Sequence, residues 1–228
     1  MKHVTILVLV LLVGFLCMTP SFAQSAQAGV QAPGAAAGGV ESAASADAKG
    51  TAAQKTTGNG LVIADFDTGD KPNNIGGDFG SWDKDPNDET QGCKMSFESD
   101  DALGNASGFS IRLDYDVDSA NPAYNGFWMK LNNFDATQYN TVAFALKGDA
   151  TKNFTKRLKI ELKDASGTSP YIVTGITDKW QEFSIPFEKF KRVKNFAALT
   201  EFVVVFDDIN SNPKSGSLLI DQIKFTRE

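Results

Sequence analysis

The sequence predicts an all-β fold, an antiparallel β-sandwich of jelly-roll type. Three observations carry that expectation. Apolar residues recur with a period of two in one segment after another, the mark of strands with one face in a core. Clusters of Gly, Asp, Asn and Pro separate those segments. The first and last apolar runs, LVIADFD from Leu61 and LLIDQIKF from Leu218, match as a pair. Both are short, strand-like and acidic, with Asp65 and Asp67 in one and Asp221 in the other. First and last strands of a sandwich often lie side by side.

In chain order, Lys2 and His3 precede an apolar run from Val4 to Met18, and Ser21-Phe22-Ala23 follows with small residues where a signal peptidase reads. That run is too short to span a membrane comfortably, so residues 1–23 are expected to be a cleaved secretory signal peptide. The expected location is therefore secreted or periplasmic, with no transmembrane segment after cleavage. Leu16 precedes Cys17 where a lipid-attachment motif calls for a small residue, which argues against a lipid anchor.

Cleavage removes the only His and one of the two Cys. The remainder can form no His-based triad, no His general base and no His metal site. Cys93 has no partner for an intrachain disulfide. The net charge is −6, and losing Lys2 makes it more negative. An acidic chain without a basic stripe is ill suited to nucleic acid or to an anionic membrane surface.

Residues 24–59 read as a low-complexity linker of Ala, Gly, Ser, Thr and Gln without an aromatic residue. Such a segment cannot bury enough apolar surface to offset its ordering entropy, so it is expected to be disordered, a flexible tether. The folded domain is expected over residues 60–228. Ile111, Leu113 and Tyr115 alternate with Ser110, Arg112 and Asp114, and Phe127, Met129 and Leu131 with Trp128, Lys130 and Asn132. Val142, Phe144 and Leu146 alternate with Ala143, Ala145 and Lys147, and Leu158, Ile160 and Leu162 with Arg157, Lys159, Glu161 and Lys163. Phe202 to Phe206 is apolar on both faces, as a central strand would be. Only Pro186 to Phe196 hints at helix, as one short turn.

These phrases carry a resemblance. FDATQYNTVAFALKGD from Phe134, RLKIELKD from Arg157, ITDKWQEFSIPFEKF from Ile176 and LLIDQIKF from Leu218 resemble, in that order, galactose-binding-like β-sandwiches. The similarity is to carbohydrate-binding module family eleven and to complex I intermediate-associated protein 30 domains. It covers nearly all of residues 61–225 and concerns fold more than function. Such modules hold a structural calcium between first and last strands. The resemblance thus implies Ca2+ at Asp65 or Asp67 with Asp221, and calcium does favour carboxylate and carbonyl oxygens.

Sugar recognition needs flat apolar surfaces for the C–H faces of pyranose rings and planar polar groups for their hydroxyls. Trp82, Tyr124, Trp128 and Tyr171 are the candidate platforms. Arg112, Asp114, Lys159 and Glu161 are the candidate polar partners, unless they form an ordinary charged solvent face. Tyr139 and Trp180 sit in phrases that resemble structural positions. The segment from Asp83 opens like an EF-hand loop, then fails at Asp88 and Lys94, so a solvated acidic loop is expected. The expected function is an exported, non-catalytic carbohydrate-binding module for a polysaccharide or envelope glycan. The alternative is an envelope scaffold that binds another protein.

Overall fold

A computed structural model describes residues 54–104 and 107–228. The expected signal peptide and most of the expected linker lie outside the described residues. Within them the chain is a sandwich of a seven-stranded and a five-stranded antiparallel sheet. The all-β expectation holds: among the described residues the only helix is one 3-10 turn, Phe187–Lys189.

The seven-stranded sheet begins with a hairpin of β1 (Thr56–Thr57) and β2 (Gly60–Ala64). Ordered pairing therefore starts a few residues before the expected boundary at residue 60. β4 (Gly92–Glu98), β5 (Ser110–Asp116), β7 (Thr141–Gly148), β10 (Gln181–Pro186) and β12 (Ser215–Thr226) complete this sheet. The five-stranded sheet runs β3 (Phe79–Asp83), β6 (Tyr124–Phe134), β11 (Leu199–Asp207), β8 (Arg157–Asp164), β9 (Gly167–Thr174).

β12 ties the first sheet together. One of its edges pairs with β7 along most of its length. The other pairs with β5 over Ser215–Ile220, then switches to β2 over Ile223–Thr226. The switch falls at a bulge where Gln222 adopts a left-handed backbone with φ 50°. First and last strands thus lie side by side, as the matched ends predict.

Alternation then fills the core. Phe79, Phe127, Phe144, Phe202, Phe206 and Phe225 are all fully buried between the sheets. Tyr115 lies flat on Phe206 with ring centres 4.1 Å apart, while Phe225 meets Phe134, Tyr139 and Phe187. Tyr139 therefore packs as its phrase suggests. Asp164 at the β8–β9 turn accepts backbone N–H groups from Ser166, Gly167, Lys194 and Asn195, which stitches the β10–β11 connection to that turn. The Ser166 hydroxyl, with those N–H groups, holds its carboxyl below the ordinary value.

Phe225→Ala should cost about 3–5 kcal/mol of unfolding free energy, read by urea denaturation, because it empties a cavity lined by three rings from different strands and loops. A loss below about 1 kcal/mol would show that this end of the sandwich collapses to fill the hole.

Candidate functional site

The outward side of the five-stranded sheet can be read directly from register, because residues paired across neighbouring strands share a face. One row runs Gly80, Trp128, Val203, Glu161, Pro170 from β3 to β9. The next runs Trp82, Gly126, Val205, Lys159, Ile172. A third begins at Lys130 and continues through Glu201 and Lys163 to Thr168. The intervening row, Phe79, Met129, Phe202, Leu162, Ser169, is buried throughout.

Three side chains on this face are built to present flat apolar surface. Trp128 is half-buried and donates its indole N–H to the Ser81 carbonyl at 3.2 Å. A Cβ on Gly80 would stand only 3.3 Å from the indole, so glycine there lets the ring lie close over β3. The ammonium groups of Lys130 and Lys71 stand 5.5 and 5.9 Å from its ring centre. Trp82 packs against Tyr124 with ring centres 5.9 Å apart, and Lys84 lies 5.3 Å from the Tyr124 ring. Tyr124 is 42% exposed. Gly126 stands in the Trp82 row, with φ 155° and the Val204 carbonyl of β11 so close that a Cβ there would meet it at 2.0 Å.

Val203 and Val205 form the floor. They point outward, yet only 2% and 4% of their surface reaches solvent, because flanking side chains rise over them. The far wall is charged. Glu201 is gripped by Lys130 and by Lys163 at 3.0 Å, and those bonds outweigh burial to hold its carboxyl below the ordinary value. Asp207 pairs with Lys159 at 3.1 Å, takes two N–H groups from Asn210 and is likewise lowered despite its burial. Glu161 is raised, chiefly by burial, and among the described residues it has no hydrogen-bonding or ionic partner.

Of the eight residues singled out as sugar-contacting, the structure brings five onto this face: Trp82, Tyr124, Trp128, Lys159 and Glu161. It separates the other three. Tyr171 pairs with core-facing Ile160 and packs against Phe190, so it belongs to the inner side. Arg112 and Asp114 lie on β5, in the other sheet. Arg112 is locked there between Glu98 and Asp149, and Asp114 faces Lys152 at 3.2 Å. Period-two alternation distinguishes in from out but not which of two outer faces a strand contributes to.

The acidic chain ends form a second cluster. Asp65 and Asp67 both hold the Lys55 ammonium, at 2.6 and 3.1 Å. Asp221 sits at the β12 bulge, 1% exposed, with its carboxylate taking the N–H of Leu103 at 2.9 Å and that of Gln222 at 2.6 Å. Burial, with the charges of Asp67 and Asp65, pushes its pKa up to about 7 against those two N–H groups. The donor chemistry suits a hard cation. As arranged, however, an ammonium answers two of the carboxylates, and among the described residues no three acidic side chains converge as metal ligands.

The EF-hand-like loop is closed by its own hydrogen bonds. Asp88, at the position of the EF-hand glycine, accepts from Thr90, Gln91, Ser119 and Asn121 and so clamps two loops together. Trp180, just ahead of β10, donates its indole N–H to Asp101 at 3.1 Å.

A sandwich whose outer sheet face carries aromatic side chains on one side and hydrogen-bonding ones on the other has the form of a carbohydrate-binding module. The chain belongs to the carbohydrate binding domain 30 family, whose sequence profile matches residues 72–227. Among solved structures it is similar to a family 11 module studied in solution, CtCBM11, at 19% identity and TM-score 0.52, over 75% of this chain and 96% of that one. It is also similar to an exo-β-agarase, at 10% identity and TM-score 0.54, over 73% of this chain and 25% of that one. The family 11 module of the cellulosomal cellulase Lic26A-Cel5E of Clostridium thermocellum matches at 18% identity and TM-score 0.49, over 66% of this chain and 88% of that one. At such identities the first two likenesses concern the fold, in line with the galactose-binding-like resemblance of the strand phrases. No curated protein matches the chain.

One pH effect follows from Asp221. Between the ordinary carboxylate value of 3.8 and about 7, the folded chain keeps a proton that the unfolded chain has released. Stability in EDTA should therefore fall as pH rises through that window, and Asp221→Asn should flatten the fall in thermal melts. An unchanged slope in Asp221→Asn would assign the effect to another group.

Proposed function

We propose that the chain is an exported, non-catalytic module that holds a polysaccharide on the outer face of its five-stranded sheet. The observation that carries this reading is the gathering of Trp82, Tyr124 and Trp128 on one wall, facing Lys159 and Glu161 across a floor of Val203 and Val205. In this reading Trp128 receives the C–H face of one sugar ring and the Trp82–Tyr124 pair a second. Lys159 and Glu161 meet the hydroxyls. Tyr171, Arg112 and Asp114 are left out of the site because of where they stand. The face lacks what glycoside hydrolysis asks of a carboxylate pair, since Glu201 and Asp207 are each tied to lysine. Export rests on the signal-like residues 1–23.

The proposal includes a structural calcium held by Asp65 or Asp67 with Asp221 and loop carbonyls, which the Lys55 ammonium would have to leave. Its support is the burial of Asp221 beside two further carboxylates. A bound cation would satisfy that charge and brace the β2–β12 junction. Calcium should then raise the melting temperature and chelation lower it. Identical melts in calcium and in EDTA would remove the metal from this account.

Affinity gel electrophoresis against soluble polysaccharides tests the site. The chain should be retarded by at least one of them. Trp128→Ala should abolish that retardation while leaving the melting temperature nearly unchanged, because the ring lies outside the inter-sheet core. A large fall in stability would make Trp128 a packing residue instead. No retardation by any glycan would turn attention to a protein ligand.

A further inference from the structure

Three carboxylates stand on the outer face of the five-stranded sheet, and their situations differ. Glu201 is neutralised by Lys130 and Lys163. Asp207 is neutralised by Lys159 and fixed by Asn210. Glu161 lies between them on β8 and has neither. Its neighbours along the strand, Lys159 and Lys163, are turned to Asp207 and Glu201. Across β11 it faces Val203, and across β9 it faces Pro170, which has no N–H to give. Nearer β3, Lys71 is occupied by Asp78 at 2.8 Å. A half-buried carboxylate with no donor is costly, and nothing in the packing of the sheet requires one at this position.

We propose that Glu161 decides which glycan the face accepts: its ionised carboxylate receives neighbouring hydroxyls of a neutral glycan whose chain also reaches Trp128, and its charge, bonded to no cation, turns acidic glycans away. This deepens the proposed function and rests on it. The backbones of Trp128 and Glu161 stand two strand spacings apart across Val203, about 10 Å, and the indole lies farther off, over β3, with its N–H on the Ser81 carbonyl. The sugar stacked on the indole and the sugar whose hydroxyls meet the carboxylate are therefore different units of one glycan chain. An ionised carboxylate only accepts hydrogen bonds and offers two oxygens, which suits a pair of adjacent hydroxyls. A uronate or sulfate group in the same place would set like charges together with no cation free between them.

Acid should therefore release the glycan. Glu201 and Asp207 are held below the ordinary carboxylate range and Glu161 above it, so Glu161 is the first of the three to take up a proton as pH falls. Lys71, Lys130, Lys159 and Lys163 stay charged throughout that range. Protonation replaces charge-assisted hydrogen bonds by neutral ones of roughly half the strength, a loss of about tenfold in affinity.

The test uses the whole chain with three neutral probes, mixed-linkage β-glucan, xylan and galactomannan, and one acidic probe, polygalacturonate. Wild type, Glu161→Gln and Trp128→Ala would be compared by affinity electrophoresis from acid to neutral pH, with melting curves as a folding control. The wild type should be retarded by a neutral probe, about tenfold more weakly in acid, and ignore polygalacturonate. Glu161→Gln should bind about tenfold more weakly at neutral pH, lose the pH dependence and no longer discriminate against polygalacturonate. If Glu161→Gln keeps wild-type affinity and slope while Trp128→Ala abolishes binding, the face stands and the role of Glu161 falls. If Trp128→Ala binds like wild type, the glycan lies elsewhere and both fall.

Discussion

The seven-stranded sheet depends on a single strand. Without β12, the pairs β1–β2, β4–β5 and β7–β10 would be separate two-stranded ribbons, each too small to hold an apolar face. β12 joins them by offering one edge to β7 and dividing the other between β5 and β2. The bulge at Gln222 makes the division possible. It is also why Asp221 is buried, because a polar side chain at a change of partner is covered by whatever loop crosses the gap. The Leu103 N–H that meets it comes from such a loop. The acidic cluster is thus a by-product of topology before it is a site of anything.

How legible the fold was varies with local chemistry. Strands with strict alternation and strong turn signals, β5 through β8, stand out in the sequence. β12 does too, and its pairing with β2 follows from the likeness of the two ends. β3 is hidden, since Phe79-Gly80-Ser81-Trp82-Asp83 reads as loop. The same small residues that blur it are the ones that let the Trp128 ring lie down. β4 alternates well, with Cys93, Met95 and Phe97 against Lys94, Ser96 and Glu98, but an acidic, Pro-containing loop precedes it and obscures its start.

The candidate face was half legible. Trp128, Lys159 and Glu161 can be named from their place in the pleat, whereas Trp82 and Tyr124 read as loop aromatics and lie in β3 and β6. That they share a face depends on the long-range order β3-β6-β11-β8, which no local pattern reveals. For the same reason Arg112 and Asp114, polar and outward in equal measure, belong to the opposite surface. Val203 and Val205 carried a readable hint. A strand apolar on both sides inside a two-layer fold must have its outer face covered, and here Val203 and Val205 are buried between the outer side chains of the flanking strands.

The junction of β2 with β12 also bears on how the fold would take a load. Lys55 lies beside the β1–β2 hairpin at one edge of the seven-stranded sheet, and the Arg227 N–H that follows β12 reaches the Asn59 carbonyl in the turn of that hairpin. The aromatic face belongs to the other layer. If residues 24–59 act as the expected tether and a glycan is held on the proposed face, a pull at Lys55 would load the sandwich through its thickness of about 10 Å, across the phenylalanine core. Along the β2 edge itself, the same pull would peel backbone hydrogen bonds one at a time, starting from the hairpin. In that arrangement the first strands would yield under strain while the sheet carrying the face kept its shape.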